Sequence, residues 1–391
     1  MNLDFLYGIL GLGFWGYVVV AVCMVQFTIM GVTLYLHRDA THRSLDLHPA
    51  LRHIFRLWLW MSSGMITKEW VSVHRKHHAR CETTDDPHSP VIFGLKKVLL
   101  EGAELYQVQA RNGDTLEKFG RGTPDDWLER NLYAKYRNLG IISMVVLDLL
   151  LFGVPGIIII SIQMLAMPLL AAGVINGLGH HTGYRNYECP DAATNVVPWG
   201  FIVGGEELHN NHHAFPSSAK FSSRSWEFDI GWMWIQMLSA VGLARVLRVA
   251  PKPAVDPASH VNLETVRAVI VNRMHVLRAY TSSVTLPVFK AELRAARGNL
   301  TRRVKTLLVR QPVLLDDKSH ARLNEVLASN QMLKTVHDFR ERLQVLWSGG
   351  QMSNDKLLQH LKDWIAQAEA SGIKALQDFA ASLRGYAMQP A

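Results

Sequence analysis

The chain has 391 residues, 49% of them hydrophobic, and 41 Lys and Arg against 33 Asp and Glu give it a net charge of +8. It is long enough for two domains and too apolar for a disordered polypeptide. Its three cysteines, at 23, 81 and 189, form no Cys-x-x-Cys pair, which argues against a disulfide framework or a thiolate-built zinc or iron–sulfur site, so any metal is expected on nitrogen and oxygen.

In chain order, the first candidate element is apolar. Met1 to His37 contains no Lys or Arg, and Phe14 to Leu36 is long enough for one membrane span, with the N-terminus outside. The missing positive charge also speaks against a cleavable signal. Gly11-Leu-Gly13-Phe-Trp-Gly16 fits a dinucleotide-binding pattern, but it has no βαβ context and reads better as small residues that let membrane helices approach. His37 and His42 follow, five apart, a spacing that suits the frayed end of a helix. Leu51 to Thr67 is apolar but carries Arg52 and Arg56 around Trp58 and Trp60. Because it joins two histidine clusters that must share a side, an interfacial helix is expected rather than a crossing.

His74, His77 and His78 come next, on one helical face, and His209, His212 and His213 repeat that spacing. Between them, Leu139 to Gly183 lacks Lys and Arg. Leu139 to Leu178 can form two spans broken at Gly153-Val154-Pro155-Gly156, an out-and-back hairpin. The positive-inside rule puts that turn outside and Arg38, Arg43, Lys68, Arg75, Lys76, Lys96 and Lys97 in the cytoplasm, with all three clusters. Trp226 to Val249, with Trp232, Trp234 and Arg245, reads as another interfacial helix. Pro251 to Pro257 reads as a linker. From Lys252 onward 20 basic residues face 12 acidic ones, while the first 251 balance at 21 and 21. Leu357, Leu358, Leu361, Trp364, Ile365 and Ala368 form a helical stripe ended by Ser371-Gly372. The tail is therefore a basic helical module, 258–391. Its charge suits anionic headgroups, an acidic redox partner or nucleic acid, and a solvated face is the plainest account.

A single His-x-x-His-His is most often chance. Three clusters beside apolar segments point instead to a metal site at a membrane surface, and imidazole suits iron, zinc and copper alike. His180-His181 ends the last apolar stretch and can complete the ligand set. His48, His53, His88, His260, His275, His320, His337 and His360 are isolated and read as surface or packing residues. The expected fold is an all-α integral membrane bundle, 1–250, of three or four spans with interfacial helices. A cytoplasmic histidine-rich di-metal region caps it, and 251–257 links it to the helical tail.

On these residues the chain resembles the membrane-bound fatty acyl desaturases, whose pattern is His-x4-His, His-x-x-His-His and His-x-x-His-His. The likeness extends to Glu69-Trp70, Asp86-Pro87-His88, Asn176-Gly-Leu-Gly-His180, Gly183-Tyr184-Arg185, Gly205-Glu206-Glu207-Leu208 and Phe215-Pro216, over roughly residues 20 to 250. The bacterial acyl-CoA delta-9 type is the nearer match. The resemblance implies two iron ions held by His37, His42, His74, His77, His78, His180, His209, His212 and His213, with Asn176 reaching one iron through water. It implies no catalytic residue apart from the ligands. His181 matches no ligand position, and Glu206 and Glu207 are candidates to orient imidazoles.

The implied reaction is O2-dependent insertion of a cis double bond into a saturated acyl chain, as acyl-CoA or another lipid. No side chain is acidic or basic enough to ionise an unactivated methylene, so an oxidising metal centre is needed. His48-Pro49-Ala50 does not begin a cytochrome b5, and no flavin or nicotinamide domain is visible. Electrons must come from a separate protein, a ferredoxin, rubredoxin or flavoprotein reductase. The implied location is the inner membrane, with the site facing the cytoplasm. Two alternatives share parts of the pattern. A membrane alkane or lipid hydroxylase shares the first half of the reaction. A histidine-rich metal transporter or sensor should carry more polar groups within its spans than Asp148 and Asn176. Residues Trp364 to Tyr386, including Ala368-Glu-Ala-Ser371-Gly372-Ile373, are similar to the C-terminal end of some bacterial transposases. No nuclease core of carboxylates accompanies them, so nucleic acid is not an expected partner.

Overall fold

The computed structural model describes residues 4–256, 260–295, 302–348 and 352–388. Its first long element, Phe14–Thr41, is 28 residues of high hydropathy, enough to cross a hydrocarbon core of about 30 Å. It starts as helix α1 (Phe14–Met30) and widens into a π-helical segment, Gly31–Thr41. That winding corrects the expectation of a frayed end. The His42 N–H donates to the His37 carbonyl at 3.0 Å, an i→i+5 bond that brings residues five apart onto one side of the helix.

Helix α2 (Pro49–Ser63) is set by Pro49 in its first turn and by His48, whose Nδ1 accepts from the Ala50 N–H; Gly64, at φ 64°, ends it. Phe55, Leu59 and Trp60 are buried while Ile54 and Leu57 are exposed. Fifteen residues span about 22 Å, short of a bilayer core. Arg56 forks onto Asp126 at 2.6 and 2.9 Å and onto Glu129 at 2.8 Å, which pins α2 to the loop before the hairpin. Helix α3 (Thr67–Arg80) follows and carries the second histidine cluster.

Helix α4 (Leu95–Ala110) crosses a second π-helical segment, Pro168–Leu178. The approach is close: a Cβ on Gly102 would stand 2.7 Å from the Ala172 carbonyl oxygen, so glycine is required there. The expected hairpin is α5 (Arg137–Phe152) and α6 (Val154–Met167), the latter running on into the π segment. Gly153 turns it at φ 63°, and its missing Cβ leaves room for the Leu6 carbonyl. Ile9 and Leu10 donate to the Leu150 and Leu151 carbonyls at 3.0 Å. Residues 6–10 thus lie at the hairpin turn, the opposite end of the bundle from His37. Phe14–Thr41 and Val154–Leu178 are the two helices long and apolar enough to cross a membrane among the described residues.

The third cluster sits on a short helix, α7 (His209–Ala214). The expected helix over Trp226 to Val249 is shorter than its composition suggests. Only α8 (Ile230–Ala240) is helical; Gly242 turns the chain at φ 74°, and Ala244–Val246 becomes a strand antiparallel to Leu45–Leu47. This pairing anchors the chain just after His42.

The described residues fold as two compact units, 1–185 with 191–250, and 186–190 with 251–391. In the second, Trp364, Leu361, Ile365 and Ala368 enter an apolar core with Val336, Leu343 and Phe379, and the Trp364 indole N–H donates to the Phe339 carbonyl at 2.8 Å. Part of the Pro-rich segment is built into this unit, because Ala254 and Val255 pair with Ala387 and Tyr386. Pro257, the end of the expected linker, lies outside the described residues.

Candidate metal centre

Ring nitrogens from four stretches of the chain converge in two neighbouring groups. In the first, Nε2 of His37 is 3.2 Å from that of His212, His212 is 2.9 Å from His78, His78 is 3.1 Å from His74, and His74 is 3.2 Å from His42. In the second, Nε2 of His180 is 3.2 Å from that of His77 and 2.9 Å from that of His209. His213 stands beside them, its ring 4.5 Å from that of His209 and 4.7 Å from that of His180.

Carboxylates behind the rings fix which nitrogen faces inward. His37, His77, His180 and His213 each direct Nδ1 at one, Glu206 at 2.6 Å, Asp86 at 3.0 Å, Glu82 at 2.9 Å and Asp191 at 3.1 Å. An Nδ1–H donated to a carboxylate leaves Nε2 as the lone-pair atom, the arrangement typical of metal-ligating histidine. His77 and His180 therefore face each other with two acceptors at 3.2 Å, and His213 Nε2 is buried with no hydrogen-bond partner. A proton could serve one such pair, but a divalent cation serves several at once. Two nitrogens about 2.1 Å from one ion and at right angles across it stand about 3 Å apart, which matches the observed spacings. The residues present fit metal ions.

Burial sets the protonation. His42, His74, His78, His88, His209, His212 and His213 are all pushed well below the ordinary imidazole range, chiefly by burial and further by neighbouring imidazoles. His77 is the exception: burial pulls it down, but Asp86 outweighs this and raises it. The unfolded chain, with imidazoles near 6.5, takes up protons that the folded chain refuses. Metal-free protein is therefore expected to hold its full stability above about pH 6.5 and to lose it as pH falls, by up to about 1.4 kcal/mol per pH unit for each such imidazole. Thermal melting in detergent between pH 7.5 and 5.5 checks this; an unchanged midpoint would sink it.

The other site candidates divide. Asn176 lines a cavity of about 450 Å³ together with His37, His74 and His209. Glu206 meets His37 and also accepts from the Thr33 hydroxyl at 2.9 Å. Glu207, expected to orient an imidazole, instead accepts the Ile202 and Val203 N–H groups at 2.7 and 2.9 Å and shapes the loop before α7. His181 is exposed and bonded to its neighbour Thr182.

Sequence reasoning missed Glu82, Asp86 and Asp191 as imidazole partners, although Asp86 lay within a quoted motif. It also read His88 as isolated, whereas its ring stacks on His77 at 4.5 Å and lines the cavity. Glu82 has φ 62°, the left-handed region that a side chain other than glycine seldom adopts. The turn carries its carboxylate to His180, Ser89 and the Ala192 N–H. Asn210 and Asn211, between the histidines, tie α7 down by donating to the Ala193 carbonyl at 3.1 Å and to Glu227 at 2.9 Å.

Comparison with known proteins agrees with this geometry. The sequence model of the fatty acid desaturase family matches residues 12–226. An sn-1 stearoyl-lipid 9-desaturase of Synechocystis is 31% identical over 229 residues, 58% of this chain and 69% of that protein. The chain belongs to the fatty acid desaturase family. It is an oxidoreductase of unsaturated fatty acid synthesis, with histidine clusters able to bind metal and helices suited to a membrane. Among other relatives of this desaturase, Delta-9 acyl-lipid desaturase 1 of Arabidopsis thaliana is 31% identical, covering 57% of this chain and 73% of that one. An acyl-CoA C20 Delta5-desaturase of Anemone leveillei is 32% identical, covering 58% and 73%. A transposase family model matches residues 261–389, a wider stretch than the sequence motifs alone suggest. Among the described residues, the potential metal-holding groups of His, Cys, Asp and Glu all lie in the first unit.

Proposed function

We propose that this desaturase inserts a cis double bond at the delta-9 position of a saturated acyl-CoA, using two irons held by His37, His42, His74, His78 and His212 and by His77, His180, His209 and His213, with Asn176 beside them. The observation that carries this reading is the cavity. Its wall runs from the imidazoles to Ile29, Met164 and Met167 in the apolar helices, and it also includes Arg111 and Arg137. Ile29 lies eight residues before His37, about 12 Å deeper at helical rise. An acyl chain fits the apolar part, and the anionic head of CoA suits the arginines.

The chain's own groups bind, aim and dry the substrate. Apolar walls exclude water from the methylenes next to the nitrogens. Glu69, paired with Arg137, holds that guanidinium at the cavity wall. Glu206, Asp86, Glu82 and Asp191 keep four imidazoles in the tautomer whose lone pair faces inward. When bound, a redox-active iron pair supplies, with O2, two external electrons and two protons, the oxidising power that takes two hydrogens from adjacent methylenes and yields two waters. Zinc lacks the redox chemistry this reaction needs; among the redox-active metals that suit imidazole we assign iron on the family resemblance.

We assign three spans, 14–41, 137–152 and 154–178, with the site in the cytoplasm of an inner membrane. The pairing of Ile9 and Leu10 with the hairpin turn supports the N-terminus and that turn sharing the outer side. A separate ferredoxin, rubredoxin or flavoprotein reductase would bring the electrons. We read the unit beyond residue 250 as a basic helical module.

Expression in a host without its own desaturase, with mass spectrometric location of double bonds in the acyl-CoA and phospholipid pools, tests the assignment. Unsaturation at carbon 9 appearing first in acyl-CoA, and absent with His212→Ala, is expected. Product formed only on intact phospholipid would overturn the acyl-CoA assignment, and an alcohol would overturn desaturation.

A further inference from the structure

We infer that the loop 199–204 dips into the leaflet on the histidine side of the membrane, setting Trp199, Phe201 and Ile202 among the acyl chains of the bilayer lipids. This rests on the reading of Phe14–Thr41 as a membrane span. The three side chains are 60, 48 and 59% exposed, an apolar patch of the kind that calls for a covering surface. Its place in the fold decides what covers it. The Ile202 carbonyl accepts from Gln26 Nε2 at 3.3 Å, and Gln26 stands eleven residues before His37, about 16 Å deeper along the span at helical rise. Val19, Val22 and Gln26 share one face of α1, and Val19 and Val22 are 59 and 56% exposed. The tip of the loop therefore continues a stripe of the span that itself faces lipid.

Irregular backbone persists at such a depth only where its polar groups find partners within the protein or the segment lines a cavity. This loop meets both conditions. The buried Glu207 carboxylate accepts the Ile202 and Val203 N–H groups at 2.7 and 2.9 Å, and the Phe201 N–H donates to the Trp199 carbonyl at 3.0 Å. The Gly204 carbonyl accepts from Arg38 at 3.4 Å and lies 3.1 Å from the Thr33 hydroxyl. Opposite the exposed side chains, Val203 and Glu206 line the cavity, and Glu206 goes on to meet His37 Nδ1 at 2.6 Å. One short loop thus parts the lipid chains from the substrate cavity. Its seat in the leaflet also holds the carboxylate that orients His37.

The test uses the full-length protein in nanodiscs of phosphatidylcholine and phosphatidylglycerol, with the photoreactive residue p-benzoylphenylalanine in place of Phe201 or of Val19. On illumination its ketone captures neighbouring C–H groups, and peptide mass spectrometry identifies what was caught. Phospholipid joined through an acyl chain is expected at both positions. A second readout needs no photochemistry: Ile202→Cys should escape a charged, water-soluble maleimide that labels His181→Cys in the same discs, with peptide mass spectrometry keeping both apart from the native cysteines. Lipid caught at 19 but not at 201, with Ile202→Cys freely labelled, would overturn insertion of the loop and leave the span standing. Protein caught at 201 in place of lipid would overturn it as well, in favour of contact with a second copy of the chain. Lipid caught at neither position would sink the span together with the loop.

Discussion

Alanine at His180 or at His212 is expected to abolish desaturation while leaving about one of two metals bound. His180 is the hub of the second group, its Nε2 within hydrogen-bonding distance of both His77 and His209 and its Nδ1 held by Glu82. His212 plays the same part in the first group, between His37 and His78. Loss of a residue that only orients a ligand costs about 10- to 100-fold in affinity or activity, so loss of a hub ligand should leave less than about 1% of activity. Metal per chain by mass spectrometry, alongside product analysis, separates an emptied site from a misfolded protein. His181→Ala is the matched control, being adjacent in sequence yet exposed and outside both groups. Retention of a tenth of the activity, or two metals in His180→Ala, would contradict the assignment of ligands.

The second large effect lies at Arg38 and Asp229, an ion pair at 3.0 Å with both side chains fully buried. Arg38 also donates to Thr33 Oγ1 at 3.0 Å and stacks its guanidinium 3.9 Å over Phe221. Asp229 accepts the Phe221 and Trp232 N–H groups at 2.7 and 2.9 Å, and so caps α8. Removing one partner leaves an uncompensated buried charge, at a cost of about 3–5 kcal/mol. Asp229→Ala is expected to lower the melting midpoint in detergent by on the order of 10 °C. Arg38→Met combined with Asp229→Leu should recover part of that loss, since apolar replacement of both partners removes the stranded charge. A shift under 2 °C in Asp229→Ala would show that the pair does not hold this region. Because Arg38 adjoins His37, the same variant should also weaken metal retention by the first group.

Much of this candidate centre was legible because its histidines recur at helical spacing next to charge-free stretches. His74, His77 and His78 share a face on any helix, and the hairpin turn at Gly153 follows from length and punctuation. The i→i+5 winding that brings His37 and His42 together leaves no comparable trace in composition, since a single inserted residue looks like ordinary helix. Glu82, Asp86 and Asp191 were hidden for another reason. Each reaches its histidine through loop conformation, and at Glu82 through a left-handed backbone that no pattern announces. The strand at Ala244–Val246 escaped because Trp-rich apolar sequence fits an interfacial helix equally well, and only its partner at Leu45–Leu47 decides the matter. In the second unit the stripe around Trp364 was readable, whereas the use of Ala254 and Val255 as a strand depended on residues some 130 positions away.

The two widened turns bear on how the protein tolerates changes of length. A widened stretch holds one residue more than regular helix of the same phase, so a single deletion between Gly31 and Leu36 is absorbed by a return to regular winding, whereas a deletion within the regular turns of Phe14–Met30 swings everything beyond it by about 100°. His37 would then point away from His212, although every ligand would still be encoded. Such a frame-preserving deletion in a transmembrane stretch would pass for harmless in a gene sequence and still disarm the enzyme.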